Sequence, residues 1–311
     1  MKAAILKKYG SAEQFQIRDV PKPEITEGQI LVRSLASSVN PVDTQVRKGK
    51  LRLASGLFGT SVIGSDFCGR VEESKSRKFK VGEEVFGFIN ATYGHAYAEF
   101  VVVNETDAVH KPENLNYAEA ASLPLVASTA FQALVKIGNI KKGDHVLING
   151  CTGGVGSAAV QIANSYEAEV TGTCSEKHIN DAFALGCKHV IDYKNDPIPQ
   201  DKRYNIIFDT AGKLTFSEVE NSLTDDGLLV VTIPVMKNLK TVLTSSFDIL
   251  KKKMRLVVVK PEEYTLNSIK ILIQKQKLLP RVARLFPIEE ISQAHEMLEK
   301  ESFVGKIAIE I

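Results

Sequence analysis

Short apolar runs, broken by glycine, proline, asparagine and aspartate, fill the first third of the chain. Such runs lie at 30–33, 81–87 and 98–103, and no helical repeat of apolar residues precedes Tyr117. Runs of this length between turn-forming residues are typical of strands. The pattern therefore predicts a β-rich N-terminal domain, either a small irregular barrel or a sandwich.

From Tyr117 onward, helical and strand patterns alternate. Apolar runs predict strands at 145–148, 169–174, 190–192, 206–209, 228–233 and 256–259. Between the first two, apolar residues recur every three or four positions and predict a helix: Val155, Ala158, Ala159, Ile162, Ala163 and Tyr166. Strands that are apolar almost throughout and alternate with helices form parallel sheets. The expected fold class is α/β, with a doubly wound parallel sheet covered by helices on both faces.

The end of the chain returns to the β pattern. Three further elements are expected there: a helix at 266–276 that closes the sheet, an extended piece at 280–285, and a helix after Pro287. Residues 305–311 then alternate between apolar and polar, as a half-buried strand does. That strand needs a partner, and the β-rich first third offers one. The expected domains are a split domain of 1–123 with 279–311 and a nucleotide-binding domain at 124–278.

A glycine-rich segment joins the first predicted parallel strand to its helix. Gly150, Gly153 and Gly156 recur three apart, with Gly154 and Val155 between the last two. The first glycine permits a tight turn, the second lets a pyrophosphate approach the backbone, and the third lets the helix pack against the strand. Unpaired N–H groups at the start of the helix attract phosphate. A glycine triplet alone is a weak signal, but its place after the first of six alternating strands predicts a dinucleotide site.

The end of the second predicted strand indicates which dinucleotide is bound. NAD-binding domains carry an acidic residue about 20 positions beyond the first glycine, where it binds the ribose 2′-hydroxyl. Here Ser175 and Lys177 follow the strand, and a hydroxyl with a cation suits a 2′-phosphate that a carboxylate would repel. Glu176 lies between them, and a shift of one or two residues would make it the ribose ligand. NADPH is therefore favoured, with NADH as the alternative.

Composition excludes several classes of partner. The 311 residues include 39 Lys and Arg against 37 Asp and Glu, so no nucleic-acid or membrane surface is expected. No signal-peptide pattern and no run of about 18 apolar residues is present. We therefore expect a soluble, cytoplasmic protein without membrane insertion. Four scattered cysteines, Cys68, Cys151, Cys174 and Cys187, form no C-x-x-C pair, so we expect buried free thiols rather than a disulfide framework or a structural zinc site.

Several segments together resemble one known family. They are Asn40-Pro41-Val42-Asp43, 64–69, 97–100, 124–130, the glycine segment, 190–193 and Gly305-Lys306. In order and spacing they resemble the medium-chain dehydrogenase/reductase superfamily over almost the whole chain. Within it, the chain is similar to the zinc-lacking quinone oxidoreductases, which include zeta-crystallin-like proteins and NADPH-dependent alkenal/one reductases. Gln45 replaces a tyrosine of zeta-crystallin-like members, which tilts the resemblance toward the alkenal/one reductases.

The resemblance implies a GroES-like N-terminal domain, a Rossmann domain and an active site in the cleft between them. It places these residues around NADPH: Asn40, Thr129 and Ile233 near the nicotinamide, Gly153, Gly154 and Val155 at the pyrophosphate, Ser175, Lys177 and Tyr193 at the 2′-phosphate, and Lys306 on the C-terminal side. Three of them have ordinary alternatives. Asn40 could serve as a turn residue before Pro41, Tyr193 as a core or edge aromatic residue, and Lys306 as a surface lysine.

The same resemblance indicates that no metal takes part. Zinc-dependent relatives use a Cys, a His-Glu pair and a second Cys or Asp. Here Asn40 stands in place of the first Cys, and Ser65 and Asp66 stand in place of the His-Glu pair. Neither an amide nor a hydroxyl is a good zinc ligand, so we expect no metal site.

A metal-free enzyme of this kind is expected to transfer a hydride by proximity to a quinone or an α,β-unsaturated carbonyl compound. Water can protonate the product, so no side-chain acid is required. If one exists, Tyr93 and Tyr97 are the candidates, and aromatic packing explains each of them equally well. Reduction of an enoyl thioester, or NADPH binding by a sensor with little turnover, remain alternatives. The apolar edge strand at 256–259 predicts a homodimer.

Overall fold

The protein is described by a computed structural model of residues 1–52, 61–90, 93–201, 203–232 and 253–311. It consists of two compact units. The first comprises Met1–Leu125, Lys260–Gln274 and Pro280–Ile311, and the second comprises Val126–Val259 and Lys275–Leu279. Among the described residues, no helix is both long and apolar enough to cross a membrane.

The strands and helices of the described residues follow one another in chain order. The strands are β1 Lys2–Leu6, β2 Phe15–Asp19, β3 Gln29–Val39, β4 Ser61–Val62, β5 Asp66–Ser74, β6 Glu84–Phe88, β7 Phe100–Asn104, β8 Ala108–His110, β9 His145–Asn149, β10 Glu169–Cys174, β11 His189–Asp192, β12 Tyr204–Asp209, β13 Leu223–Val231, β14 Met254–Leu256, β15 Val282–Pro287 and β16 Lys306–Glu310. The helices are α1 Pro41–Arg47, α2 Tyr117–Ala121, α3 Pro124–Phe131, α4 Gly154–Ser165, α5 Ile179–Leu185, α6 Phe216–Val219, α7 Glu263–Gln274 and α8 Ile291–Lys300.

Two sheets form the first unit. One has the order β2-β1-β4, and the other has the order β15-β16-β3-β5-β6-β8, with β7 also paired to β3. β16 pairs antiparallel with β3, so that Ile307 lies opposite Val39. Apolar side chains from β1, β15 and β16, such as Leu6, Phe286 and Ile309, pack in one core. The prediction that the last strand of the chain completes the N-terminal β structure is therefore confirmed.

A six-stranded parallel sheet forms the second unit. Its order is β11-β10-β9-β12-β13-β14, so the chain starts at the centre, winds to one edge, returns, and winds to the other edge. This is the order of doubly wound dinucleotide-binding folds, which bind ligands at the carboxyl ends of the strands where the winding reverses. The predicted α/β fold class is confirmed.

Three predicted elements differ from the observed ones. The fifth strand, predicted at 228–233, comprises Leu223–Val231, and residue 233 lies outside the described residues. The sixth strand comprises Met254–Leu256 rather than 256–259. Helix α7, expected to close the parallel sheet, groups with the first unit, where the Asn114 amide donates to the carbonyl of Ile273 at 3.4 Å. An amphipathic helix has one apolar face whichever sheet it covers, so periodicity does not choose between two sheets. The exact domain boundaries stay a prediction.

Candidate functional site

A tight turn leads from β9 into α4. Gly150 has a φ of +83°, in the left-handed region that glycine adopts without strain. A Cβ on Gly156 would lie 2.0 Å from the carbonyl oxygen of Gly150, so only glycine lets α4 pack this closely on the turn. A Cβ on Gly153 would meet nothing nearer than that same oxygen, at 3.5 Å. The geometry agrees with the separate roles expected for the three glycines.

The N-terminus of α4 offers the groups that a phosphate requires. Gly153 is the N-cap residue, and the first turn contains no acidic side chain. The N–H groups of Gly154, Val155 and Gly156 lack acceptors within the helix, and the helix dipole adds partial positive charge. Beside them, Gly153 is exposed and bears no side chain. The segment therefore fits the pyrophosphate of a dinucleotide.

Buried polar side chains hold the turn at the carboxyl edge of the sheet. Asn149 Nδ2 donates to Asp209 Oδ1 at 2.7 Å, and Asn149 Oδ1 accepts from Thr173 Oγ1 at 2.6 Å. The hydroxyl oxygen of Thr173 in turn accepts from the N–H of Gly150 at 3.1 Å. Sequence reasoning missed Asn149, Thr173 and Asp209. Polar residues that close apolar parallel strands are the signal that could have found them.

The three residues predicted at the 2′-phosphate lie together at this same edge. β10 and β11 end side by side at Cys174 and Asp192, which are register partners. Ser175 and Lys177 follow β10 directly, and the N–H of Tyr193, just after β11, donates to the Cys174 carbonyl at 3.2 Å. Tyr193 is 59% exposed, so it is not a core residue, and its alternative as an edge aromatic residue stays open. The sheet thus brings Ser175, Lys177 and Tyr193 to one end of two neighbouring strands.

The remaining residues predicted on the second unit are less informative. Glu176 is exposed in the short 3-10 turn Glu176–His178, so its alternative as a ribose ligand stays open. Thr129 is buried in α3. Ile233 lies outside the described residues.

Asn40, Asp43, Asp66 and Lys306 form a buried polar cluster in the first unit, the Asn40 cluster. Each of them is at most 6% exposed. Lys306 Nζ donates to Asn40 Oδ1 at 2.5 Å and to the Val39 carbonyl at 2.6 Å, and Asn40 Nδ2 donates to Asp66 Oδ2 at 2.8 Å. The alternative of Lys306 as a surface lysine is therefore wrong. Its predicted contact with a cofactor stays a prediction.

Asp43 is the second carboxylate of the cluster, and three donors surround it. It accepts from the N–H of Asn40 at 2.8 Å, from the Ser65 hydroxyl at 2.9 Å and from the Tyr97 hydroxyl at 3.1 Å. The first of these bonds spans the start of α1, whose N-cap residue is Asn40. Asn40 therefore does serve the turn before Pro41, in addition to its contacts with Lys306 and Asp66.

Tyr97 lies in the loop between β6 and β7, but its side chain does not have the exposure expected of a proton donor. Its side chain is completely buried in the core of the first unit, with its ring centroid 6.2 Å from that of Phe15. Its hydroxyl already donates to Asp43, and burial raises its pKa well above the usual value. The geometry corrects the expectation and favours the packing alternative. Tyr93, the other candidate, is exposed.

Burial sets the pKa values in the Asn40 cluster. It raises the pKa of Asp43 to about 6, against the hydrogen bond from Ser65 and together with the negative charge of Asp66. Burial also raises the pKa of Asp66, opposed first by the charge of Lys306, and it lowers the pKa of Lys306, opposed by both carboxylates. The ammonium of Lys306 is therefore the cation with which both buried carboxyl groups, Asp43 and Asp66, interact.

The residues at the position of the zinc ligands do not fit zinc. They offer the amide of Asn40, the hydroxyl of Ser65 and a single carboxylate, Asp66, and the ammonium of Lys306 lies 4.0 Å from that carboxylate. Zinc takes thiolate, imidazole and carboxylate ligands, and a neighbouring ammonium repels a cation. In the described part of the chain, no three His, Cys, Asp or Glu side chains are arranged to hold a metal. The four cysteines are buried free thiols.

The chain matches two family models and resembles known oxidoreductases along its whole length. Residues 26–113 match the alcohol dehydrogenase GroES-like domain, and residues 185–309 match a family described as zinc-binding dehydrogenase. A chloroplastic quinone-oxidoreductase homologue of Spinacia oleracea is 28% identical and spans 97% of this chain and 95% of its own. A chloroplastic NADPH-dependent alkenal/one oxidoreductase of Arabidopsis thaliana is 29% identical and spans 99% and 79%. The structure of the quinone oxidoreductase from Coxiella burnetii is 27% identical, with a TM-score of 0.87 over 100% of this chain and 99% of its own.

A GroES-like β unit together with a doubly wound dinucleotide sheet defines a class of two-unit oxidoreductases. Both the fold and the glycine turn place this chain in that class. The chain belongs to the medium-chain dehydrogenase/reductase superfamily, and it has quinone oxidoreductase-like relatives.

Proposed function

We propose that the protein is an NADPH-dependent, metal-free reductase that transfers a hydride to a quinone or an α,β-unsaturated carbonyl compound. The observation that carries the proposal is the carboxyl edge of the parallel sheet, where the glycine turn lies beside Ser175, Lys177 and Tyr193. The names of the relatives support the acceptor class, because they include quinone oxidoreductases and an NADPH-dependent alkenal/one oxidoreductase.

The side chains after β10 and β11 support NADPH over NADH. A 2′-phosphate would find the hydroxyl of Ser175, the ammonium of Lys177 and the exposed ring of Tyr193 at one edge. Hydrogen bonds to a charged group contribute about 1.5–3 kcal/mol each. Loss of one such contact would weaken NADPH binding about tenfold to a hundredfold.

The residues of the chain would act by binding and orientation. Bound NADPH supplies the hydride. The first turn of α4 would hold the pyrophosphate, and the amide of Asn40 would supply an N–H donor for an oxygen atom on which negative charge develops. An enolate or a hydroquinone anion takes its proton from water. The mechanism is therefore compatible with the burial of Tyr97, which leaves no proton of that residue free for a substrate.

The acceptor class is tested by NADPH oxidation with 9,10-phenanthrenequinone, a short enal and crotonyl-CoA. We expect turnover with the quinone, the enal or both. Turnover with crotonyl-CoA alone would favour the alternative of an enoyl-thioester reductase. Tight NADPH binding without turnover on any of the three would favour a sensor and would contradict the proposed activity.

The cofactor choice is tested by the double substitution Ser175→Asp with Lys177→Ala. We expect the ratio of NADPH to NADH affinity, measured by titration calorimetry, to fall at least tenfold. Lys142→Ala is the matched control, because Lys142 is exposed and precedes β9 at the opposite, amino edge of the sheet. Unchanged NADPH selectivity in the double variant would refute the assignment. A preference of the wild-type protein for NADH would instead favour Glu176 as the ligand of the ribose 2′-hydroxyl.

We also propose that the protein is a homodimer paired through β14. This strand lies at the edge of the parallel sheet, and apolar side chains at and after its end, Leu256 and Val258, are exposed. Unpaired apolar edge strands are normally covered by a second chain or element. Light scattering should give a mass of twice 34.1 kDa, and Val258→Lys should lower it to that of one chain. A monomeric wild-type protein would contradict this arrangement.

A further inference from the structure

The side-chain amide of Asn40 has only one orientation that suits both of its charged neighbours. The ammonium of Lys306 can only donate, so the atom that it contacts at 2.5 Å must be Oδ1. An ionised Asp66 can only accept, so the atom at 2.8 Å must be Nδ2. A rotated amide would set N–H against ammonium and oxygen against carboxylate. The two opposite charges therefore fix the amide.

The ammonium beside Asn40 belongs to Lys306, a residue near the far end of the chain. Lys306 is the first residue of β16, which pairs with β3 so that Ile307 lies opposite Val39. The preceding Gly305 has a φ of +88°, and a Cβ there would lie 2.0 Å from the Arg281 carbonyl oxygen. The turn into β16 thus requires glycine, and strand register then sets the place of the ammonium.

Asp66 is held as firmly on the other side of the amide. Besides the amide of Asn40, it accepts from the Ser38 hydroxyl at 2.6 Å and from the N–H of Leu125 at 2.8 Å. Three donors and an ammonium 4.0 Å from Oδ2 favour the ionised carboxylate against the effect of burial. The Asp66 carboxylate, which accepts from the Asn40 amide, is therefore held as firmly as the Lys306 ammonium, which donates to it.

We propose that Lys306 is a positioning residue whose ammonium fixes the amide of Asn40 in one orientation. One N–H of the amide goes to Asp66, and the second would serve an oxygen of a bound molecule that lies directly against this completely buried side chain. The inference rests on the proposed function, in which Asn40 lies near the nicotinamide.

Loss of the ammonium would change the hydrogen-bond pattern as well as the charge. Asp43 and Asp66 would remain buried without a cation, a situation that drives a carboxyl group to take up a proton. A protonated Asp66 can donate to Asn40 Oδ1 as well as accept from Nδ2. The amide would then have two orientations of similar energy, and only one of them presents the remaining N–H correctly.

The test compares Lys306→Met with the double variant that also carries Asp66→Asn, and uses Lys2→Met, an exposed lysine of the same unit, as the matched control. For Lys306→Met we expect kcat to fall about tenfold to a hundredfold, with broadened NMR signals from the side-chain amide of Asn40. The double variant contains no unpaired Lys306–Asp66 charge, so its melting temperature should recover. Its kcat should stay low, because a neutral amide at position 66 both donates and accepts and cannot orient Asn40.

Each outcome decides between positioning and simple charge compensation. Recovery of kcat together with stability in the double variant would show that Lys306 only neutralises Asp66, and would overturn the proposal. Wild-type kcat with unchanged amide signals in Lys306→Met would overturn it as well. If Lys306→Met does not fold, the double variant carries the comparison alone. If the wild-type protein reduces none of the acceptors, the proposed function fails, and the amide signals still decide whether Lys306 orients Asn40.

Discussion

Replacement of His295 by phenylalanine should stabilise the protein, and more so at acid pH. His295 lies on α8, is completely buried, and contacts the rings of Phe15 and Tyr97 at centroid distances of 4.9 and 5.7 Å, the first tilted and the second edge-on. Neither of its ring nitrogens has a hydrogen-bond partner among the described residues. Burial, and then the positive charge of Arg47, lower its pKa to about 3. A buried imidazole of this kind is costly when neutral and more costly when charged.

Two contributions set the size of the effect. A buried polar group without a partner costs about 1–3 kcal/mol, and phenylalanine removes that cost at neutral pH. The folded pKa of about 3 lies below the value of 6.5 for an unperturbed histidine. The unfolded chain therefore binds the proton first, and the stability of the wild type is fully present above about pH 6.5 and declines below it. At pH 5 the loss from this one group amounts to about 2 kcal/mol.

Denaturant unfolding at pH 7.5 and pH 5, followed by circular dichroism because the chain has no tryptophan, measures both contributions. We expect the difference in unfolding free energy between His295→Phe and the wild type to grow by about 2 kcal/mol between the two pH values. His189→Phe, on the exposed start of β11, is the matched control and should show no such growth. A constant difference between His295→Phe and the wild type would refute the reasoning, because it would mean that the folded state accommodates the charged ring.

Four further variants probe the glycine turn and the first unit. Gly156→Ala would place a Cβ 2.0 Å from a backbone oxygen and should lower both the melting temperature and the NADPH affinity. Gly153→Ala has 3.5 Å of space and should lower the NADPH affinity alone. Equal melting temperatures for the two variants would contradict this expectation. Arg47→Met should cost about 2 kcal/mol of unfolding free energy, because the fully buried guanidinium pairs with Glu299 at 2.6 Å, and an unchanged denaturation midpoint would argue against it. The pKa of Asp43 is raised to about 6 from 3.8, so this group makes the protein about 2 kcal/mol less stable at pH 7 than at pH 4. Asp43→Asn should remove that slope in a pH series of unfolding curves, and a slope equal to that of the wild type would refute the assignment.

The parallel sheet was largely predictable because its signals are local. The strand at 169–174 is predicted with the observed bounds, since an apolar run between turn-forming residues needs no partner to be recognised. Glycine tolerance of positive φ is likewise a property of the residue itself, and Gly150 shows it. The carboxyl-edge cofactor residues follow from these two features, because strand ends in a parallel sheet share one edge.

The first unit was less predictable because its polar core depends on long-range register. Nothing near Lys306 in sequence indicates that its ammonium is buried against Asn40, 266 positions away. The burial of Tyr97 depends in the same way on packing between distant strands. A lysine and a tyrosine both have plausible exposed roles, so residue type alone favours the surface. Only the pairing of β16 with β3 determines that the side chain of Lys306 is buried.

That pairing has a consequence for the order in which the chain folds during synthesis. The whole second unit, which ends at Leu279, is synthesised before the strands β15 and β16. At usual elongation rates, of about 5–20 residues per second, several seconds separate the two events. Throughout that interval β3 carries an unpaired edge next to a half-built core, which is the kind of surface that recruits chaperones or other nascent chains. The N-terminal unit, although synthesised first, must therefore be the last part of the protein to reach its native state.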